Sequence, residues 1–566
     1  MDNKKIIECV PNFSEGVNLS VIKAITDEIE RIDGVKILNI DTGKTTNRTV
    51  VTFVGAPQPV IEAAFLAIKK AGELIDMSRH KGEHPRMGAT DVCPLIPIAN
   101  ISMDETAEWA RKLARRVGEE LNLPVYLYEH AQPDKTRSNL SVIRAGEYEG
   151  FTEKIKLPQW KPDFGSARFD EKRGATAIGA RDFLIAYNVN LNTTSTRRAN
   201  SVAFDVREAG RVMREGDPIT GKIVKDADGN PVSVPGTLKS VKAIGWYIEE
   251  YGICQISMNL TNIHVTPLHI AFDEVCRKAE ARGLRVTGSE LVGVVPLKCL
   301  TDAGAYFLRK QKRSAGVSER ELIKIAVKSM GLDELSPFEP EKRIIEYLLE
   351  DGNDKHLVSK PLSCFIDETA SESPAPGGGS IAACMGALGV ALATMVANLS
   401  SHKRGWDDRW EAFSDWACKG QAIKKELTTL IDADTQAFNR IMAAFDMPKA
   451  TDEERKVRQQ AIQTATRNAI DVPLKVMKLS LQSMEIIKAM AETGNPNSVS
   501  DAGVGALCAR SAVMGAFLNV RINAADYNDK AYVEQVLNEG AQMEEKAIAL
   551  ENEILGIVNG KIGQRH

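Results

Sequence analysis

No two of the nine cysteines stand as a Cys-x-x-Cys pair. They lie scattered at 9, 93, 254, 276, 299, 364, 384, 418 and 508, so neither a disulfide framework nor a thiolate metal site is expected, and a reducing cytoplasm is. An excess of one charge is also missing. Lys plus Arg number 72 against 76 Asp plus Glu, and a net −4 offers no field for nucleic acid. The amino terminus, MDNKKIIECV, follows two lysines with only a short apolar run ending at Pro11, which is no signal peptide. The glycine-rich APGGGS at 375–380 lacks the G-K-[ST] ending of a phosphate-binding loop. One uncharged stretch, Ile381 to Ala397, barely reaches membrane-spanning length. Its Ala and Gly content points to a buried small-residue helix in a bundle or subunit interface. Small-molecule partners are expected, with no nucleic acid and no membrane.

What is present is material for several domains. The 566 residues, 43% hydrophobic and 26% charged, exceed one ordinary unit. In the first third, KILNIDTG, RTVVTFVGA, DVCPLIPI and PVYLYEH read as strands. Between them, PVIEAAFLAIKKAGELI and DETAEWARKLARRVGEEL carry helical spacing, the second opening on an Asp N-cap. From Ala180 the pattern restarts, interrupted at 215–235 by a Gly- and Pro-punctuated inserted hairpin or loop. Beyond a polar linker, strand signals almost vanish. The expected architecture is multidomain: two α/β (α+β sandwich-like) subdomains at 1–179 and 180–348, a linker at 349–357, and an all-α helical domain at 358–566.

The spelling His80-Lys81-Gly82-Glu83-His84 fits H-x-x-E-H, a zinc-helix motif. Gly82 in its middle and Pro85 at its end oppose the continuous helix that convergent imidazoles need. No third ligand is apparent, so no metal is expected. Arg79, Lys81 and Arg86 crowd the segment, while Gly82 and Gly88 permit tight turns. A basic loop holding a near-neutral base suits an anionic substrate with a proton to move.

In the tail, KKELTTLIDADTQAFNRIMAAF places Ile423, Leu427, Leu430, Ala437 and Ile441 on one helical stripe. Asp434 falls in that stripe and Asp432 roughly 200° away, so one carboxylate is expected inside and the other exposed. An inward carboxylate must be paired or have a raised pKa; it is either catalytic or the cap of a neighbouring helix. Backbone N–H groups of Gly377, Gly378, Gly379 and Ser380 at a helix start suit an anion, the plain alternative being a connector with Ser380 as N-cap.

Two resemblances give these features a chemistry. ECVPNFSEG at 8–16, DTGKTTNRTVVTFVG at 41–55, KGEHPRMGATDVCPLIP at 81–97 and AIGWYIEEYGICQISMNL at 243–260 closely resemble the glutamate formimidoyltransferase family. So do LVGVVPLKCL at 291–300 and PFEPEKRIIEYL at 337–348. The resemblance implies transfer of a formimino group from N-formimino-L-glutamate to N5 of tetrahydrofolate, a co-substrate. It implies His84 as the base and Asp41 near the transferred group. It also implies a folate-contacting loop at 164–175, with Gly165, Ser166, Ala167, Arg168 and Gly174, and Arg181 beyond. Arg48 and Arg86 are candidates to pair with substrate carboxylates. Asp41 reads equally as a turn former before Gly43. In the tail, APGGGS, LIDADTQAF, GNPNSVSDAGVGA and GAFLNVRIN resemble formiminotetrahydrofolate cyclodeaminase, which implies Asp434 as the catalytic acid-base for ring closure and ammonia release. The combined expectation is a cytoplasmic bifunctional enzyme of histidine degradation, a homo-oligomer. A tail that only assembles subunits, and a zinc peptidase on HKGEH, are the competing readings.

Overall fold

The computed structural model describes residues 5–44, 46–82, 85–217, 220–349 and 356–564. They form two compact units, one of residues 1–300 and 330–350, the other of 301–329 and 351–566. The packing thus groups 301–329, which the sequence reading kept with the second α/β part, with the helices. The reason is local. Gly316 packs on Ala417 so closely that a Cβ would lie 2.3 Å from the alanine methyl, and Asn398 and Gln421 both donate to its carbonyl.

The first unit opens with a seven-stranded sheet of β1 (Ile6–Cys9), β2 (Asn12–Phe13), β3 (Val35–Gly43), β4 (Arg48–Gly55), β5 (Thr90–Ala99), β6 (Val125–Glu129) and β7 (Thr176–Ala180). Strand β4 lies between β3 and the β1/β2 pair; β5 follows, then β7 and β6 in parallel. Alternation sorts the side chains. Ile7, Cys9, Val51, Phe53 and Leu95 pack under the helices Leu19–Glu30, Pro57–Leu74 and Met103–Leu121. Val92, Tyr126, Tyr128 and Ala177 face the other way, against Ile143 and Phe151. The Met103–Leu121 helix does not start on its aspartate. Ser102 is the N-cap, in a reciprocal capping box with Glu105, which satisfies two orphan donors where Asp104 satisfies none.

A second sheet follows, of β8 (Ile185–Leu191), with β9 (Arg211–Val212) and β10 (Ser233–Val234) forming a separate ribbon, then β11 (Val241–Ile248), β12 (Ile253–Leu260) and β13 (Val286–Val292). Its order is β11-β12-β8-β13, all antiparallel. The ribbon is the expected 215–235 insertion, closed by further bridges Arg214 to Ile223 and Lys225 to Pro231.

The second unit is dominated by the helices Gly378–Ser401, Trp410–Phe445, Asp452–Thr493, Val499–Ala524 and Lys530–Gly563. Small residues set how closely they approach: a Cβ on Gly389 would lie 2.9 Å from the Gly505 carbonyl. Two of these helices, including the one holding 381–397, are long and apolar enough to cross a membrane by length and composition, and half or more of each apolar window is buried in the bundle. Pro473 sits inside the longest helix. Its missing N–H frees the Ala469 carbonyl, a loss of roughly 3 kcal/mol in an isolated helix. Asn523 supplies the absent donor at 2.7 Å.

Candidate functional sites

In the first unit, three of the sequence motifs meet at Asn47. This residue has a left-handed backbone, φ 46°, which asparagine tolerates better than most residues. Its Oδ1 accepts from Gly16 N–H at 2.9 Å and its Nδ2 donates to the Lys81 carbonyl at 2.9 Å. Its own carbonyl lies 2.9 Å from His80 Nε2. Glycines close the junction: a Cβ on Gly82 would meet the Thr46 carbonyl at 2.3 Å, and one on Gly16 the Gly43 carbonyl at 2.3 Å. ECVPNFSEG, DTGKTTNRT and KGEHPRMGA are therefore parts of one constellation. Asn47 was absent from the candidate residues; the signal available was an asparagine in a turn between two strands.

Around the junction, Arg86 Nε donates to His80 Nδ1 at 3.3 Å, which assigns the remaining proton to Nε2, facing the Asn47 carbonyl. The buried Arg86 guanidinium also grips Glu149 through two bonds of 2.7 and 2.9 Å and Glu147 at 3.2 Å. Its paired carboxylates hold it above its already high pKa. Expected as a substrate contact, Arg86 is instead occupied by the protein and braces the loop. The expected base, His84, lies outside the described residues together with Glu83. The described flanks, His80 to Gly82 and Pro85 to Arg86, belong to no helix, so the continuous helix of a zinc motif is not formed. Among the described residues, no three His, Cys, Asp or Glu side chains gather as a metal site.

Asp41 and Asn12 both pair in register with Val50 of β4 and so share one sheet face. Arg48 beside them hydrogen-bonds Asn12 Oδ1, while its buried Nε has no partner. Burial pushes its pKa down to about 10, and the Asp91 and Asp41 charges oppose the fall. Asp91, missed by sequence reasoning, is buried, paired with Arg144 at 2.7 Å, and accepts from Met87 N–H. Burial raises its pKa against those cations. An arginine beside an exposed aspartate can hold a carboxylate and a cation side by side.

The 164–175 loop divides. Gly174, at φ 69°, packs its α-carbon on the Met87 carbonyl and bridges Gly88, directly beneath the HPRMGA segment. Gly165, at φ 81°, packs instead on Leu123 and Gly118. Ser166 accepts from Arg168 N–H, and Ala167 and Arg168 are exposed. Arg181 is not brought to Arg48. It donates its N–H to Leu95, roughly 10 Å along β5 from the Asn12 row. There it opposes the burial that lifts the Glu8 carboxyl to about 7.

In the second unit, Asp434 sits against the start of the Gly378–Ser401 helix. Ser380 Oγ donates to the Ile431 carbonyl at 2.8 Å and lies 3.2 Å from both Asp434 Oδ2 and Thr435 Oγ1. Gly377 is the N-cap, so Ser380 is not; it is buried three residues inside. A Cβ on Gly379 would meet Asp434 Oδ1 at 2.1 Å, and one on Gly378 would meet Asn519 Nδ2 at 3.3 Å. APGGGS thus meets the LIDADTQAF carboxyl through Gly379 and Ser380, and lies against GAFLNVRIN through Gly378 and Asn519. Burial raises the Asp434 pKa, and the Ser380 hydroxyl and N–H pull it down. GNPNSVSD does not join them. Asn495 N–H binds Ser400 Oγ at the far end of that 24-residue helix, roughly 30 Å away. The expectation that Asp432 is exposed fails: it is largely buried and accepts from Leu357 N–H at 2.6 Å, capping the Leu357–Ser359 turn.

Comparison with known proteins gives a consistent result. Residues 6–181 match the model of the formiminotransferase domain, N-terminal subdomain, 186–350 that of the formiminotransferase domain, and 361–542 that of formiminotransferase-cyclodeaminase. The formimidoyltransferase-cyclodeaminase of Gallus gallus is 44% identical over 529 residues, 93% of this chain and 94% of that protein. The glutamate formimidoyltransferase of Thermoplasma acidophilum is 41% identical over 57% of this chain and 98% of its own length. A methenyltetrahydrofolate cyclohydrolase of Methylorubrum extorquens is 36% identical over 36% of this chain and 98% of its own.

Proposed function

Because the chain belongs to the formimidoyltransferase-cyclodeaminase family, we propose that it carries both activities in series. The first unit moves the formimino group from N-formimino-L-glutamate to N5 of tetrahydrofolate. The helical unit then closes 5-formiminotetrahydrofolate to 5,10-methenyltetrahydrofolate. In the first step the N5 lone pair attacks the amidine carbon, the carbon–nitrogen bond to glutamate breaks, and the proton gained by N5 must go to a base. His84 takes that role by resemblance. Arg48 receives a glutamate carboxylate through its guanidinium, and Asp41 steadies the cationic amidinium. In the second step N10 attacks the formimino carbon and ammonia departs. Asp434 carries the proton from N10 to the leaving nitrogen. The observation that most supports this is that the APGGGS helix start packs Gly379 and Ser380 on the Asp434 carboxyl, whose pKa burial raises, and a carboxyl that must both give and take a proton is helped by a shift in that direction.

Among the described residues no cysteine forms a disulfide, which supports a reducing cytoplasm. Exposed apolar side chains on two bundle helices, Leu388, Met395 and Leu399 with Leu518 and Ile522, support a homo-oligomer. The match to a cyclohydrolase favours a second reading of the tail, in which water rather than N10 chemistry is served. Supplying N-formimino-L-glutamate and tetrahydrofolate decides the matter: one ammonia and one 5,10-methenyl chromophore are expected per formimino group transferred, and accumulation of 5-formiminotetrahydrofolate without ammonia overturns the proposal for the tail.

A further inference from the structure

His80, the first residue of the zinc-like spelling, has no part in the chemistry assigned above, yet the protein engages both of its ring nitrogens. Nε2 lies 2.9 Å from the Asn47 carbonyl, and Nδ1 accepts from Arg86 Nε at 3.3 Å. A carbonyl can only accept and a guanidinium can only donate. The ring therefore donates from Nε2 and accepts at Nδ1, which the neutral imidazole does and the imidazolium, a donor at both nitrogens, does not. The His80 backbone is fixed as well. Its N–H donates to the Met77 carbonyl at 3.2 Å, and its carbonyl accepts from Arg86 Nη2 at 3.4 Å.

The ring joins the two ends of one loop. At the leading end, Asn47 Nδ2 holds the Lys81 carbonyl at 2.9 Å, and Gly82 packs its α-carbon under the Thr46 carbonyl. At the trailing end, Glu147 and Glu149 grip the Arg86 guanidinium, and the Arg86 carbonyl accepts from Tyr148 N–H at 2.8 Å. Between these ends the chain reads Glu83, His84, Pro85. The leading end is thus anchored to the turn between β3 and β4, the trailing end to the start of the Glu147–Lys154 helix, and the imidazole ties one anchor to the other. A cavity of about 430 Å³ opens at the same place. Lys81 and Gly82 line it from the leading end, and Arg86, Gly146, Glu147 and Glu149 from the trailing one.

We propose that His80 is a positioning residue for formimino transfer: as a neutral two-ended link it sets the spacing between Lys81–Gly82 and Arg86, and with it the placement of the base, without touching substrate. This rests on reading the first unit as a transferase with His84 as its base. A slack link costs rate rather than binding, since misplacing a reacting group by about 1 Å lowers turnover on the order of a hundredfold.

Two amides take the imidazole apart. Asparagine carries Oδ1 as many bonds from Cα as Nδ1 stands in histidine, so His80→Asn keeps the acceptor for Arg86 and loses the donor to Asn47. Glutamine carries Nε2 as many bonds out as the histidine Nε2, so His80→Gln keeps the donor and loses the acceptor. In steady-state transfer by the full chain, His80→Ala should lower kcat about a hundredfold and each amide variant about tenfold. Both substrate KM values should stay within about twofold in all three variants, and cyclisation of supplied 5-formiminotetrahydrofolate should be unchanged. Amide variants as inactive as His80→Ala overturn the proposal, because an amide takes up no proton and the imidazole would then be a base in its own right. A kcat for His80→Ala within about twofold of the unsubstituted chain overturns it too, and so does a KM that moves further than that in either amide variant, which puts the ring against substrate. Loss of cyclisation together with transfer in the amide variants assigns His80 to folding alone and is equally fatal. His84→Ala tests the reading beneath: transfer that survives this substitution removes His84 as the base, whatever the His80 variants do.

Discussion

The two candidate sites are built by opposite means. At the Asn47 junction, irregular backbone does the positioning: a left-handed asparagine, and glycines whose α-carbons touch neighbouring carbonyls, hold three loops together. At Asp434 regular helices do it, with Gly379, Asp434 and Asn519 projected from three rods of the bundle. Loop geometry tolerates few substitutions at many adjacent positions. Helix geometry constrains isolated positions far apart in the chain. The first site therefore leaves long strings in the sequence and the second leaves short ones.

If that contrast is correct, the sites should fail differently. The largest effect is expected from Asp434→Asn, which should lower ammonia release by about a thousandfold, in the range for a lost general acid-base, with formimino transfer unchanged. His84→Ala should show the reverse, and a joint loss in either variant would break the separation of the two sites. Next in size is Asn47→Gly. Glycine keeps the left-handed backbone but removes the bonds to Gly16 and Lys81, so transfer kcat should fall about a hundredfold through misplacement of the loop while the melting temperature barely moves. A kcat near that of the unsubstituted chain would show that the glycine contacts alone hold the junction. Gly379→Ala comes third: its methyl must displace the Asp434 carboxyl, and cyclisation should fall about tenfold with transfer intact.

The smallest effect concerns stability and leaves both activities alone. Burial raises Glu8 from its ordinary 4.5 to about 7, so between those values the folded chain keeps a proton that the unfolded chain has released. The sign follows: Glu8 costs nothing below about pH 4.5, its cost grows as pH rises toward 7, and above 7 it is constant at about 3 kcal/mol. Glu8→Gln should flatten that part of the pH dependence and raise the resistance of the first sheet to hydrogen exchange at pH 8. Equal exchange in both chains across that range would show that Glu8 ionises freely in the fold.

The strand and helix pattern was legible because alternation and helical spacing are local properties. KILNIDTG, RTVVTFVGA, DVCPLIPI and PVYLYEH all appear as strands, and the 215–235 insertion as a ribbon. The spacing argument for Asp434 also held, since a helix converts spacing directly into a face. It failed for Asp432, because the exposed side of a single helix is covered by the Leu357–Ser359 turn, and no periodicity in one segment reports what another will lay over it. Arg86 failed for the same reason. Its charge was visible, but the glutamates that occupy it lie 61 and 63 residues further on.

What the sequence determined by itself was the element pattern, the change from α/β to all-α, and which residue types were available for chemistry, because these depend on composition and on periods of two and 3.6 residues. Tertiary structure alone decided that Asn47 joins three motifs, that Arg48 keeps a buried donor without a partner, that Glu8 holds its proton, and that His80 ties Asn47 to Arg86. Each depends on groups distant in the chain being brought within hydrogen-bonding range or sealed from water. At that range a few ångströms decide whether a charge is paired, stranded or neutralised.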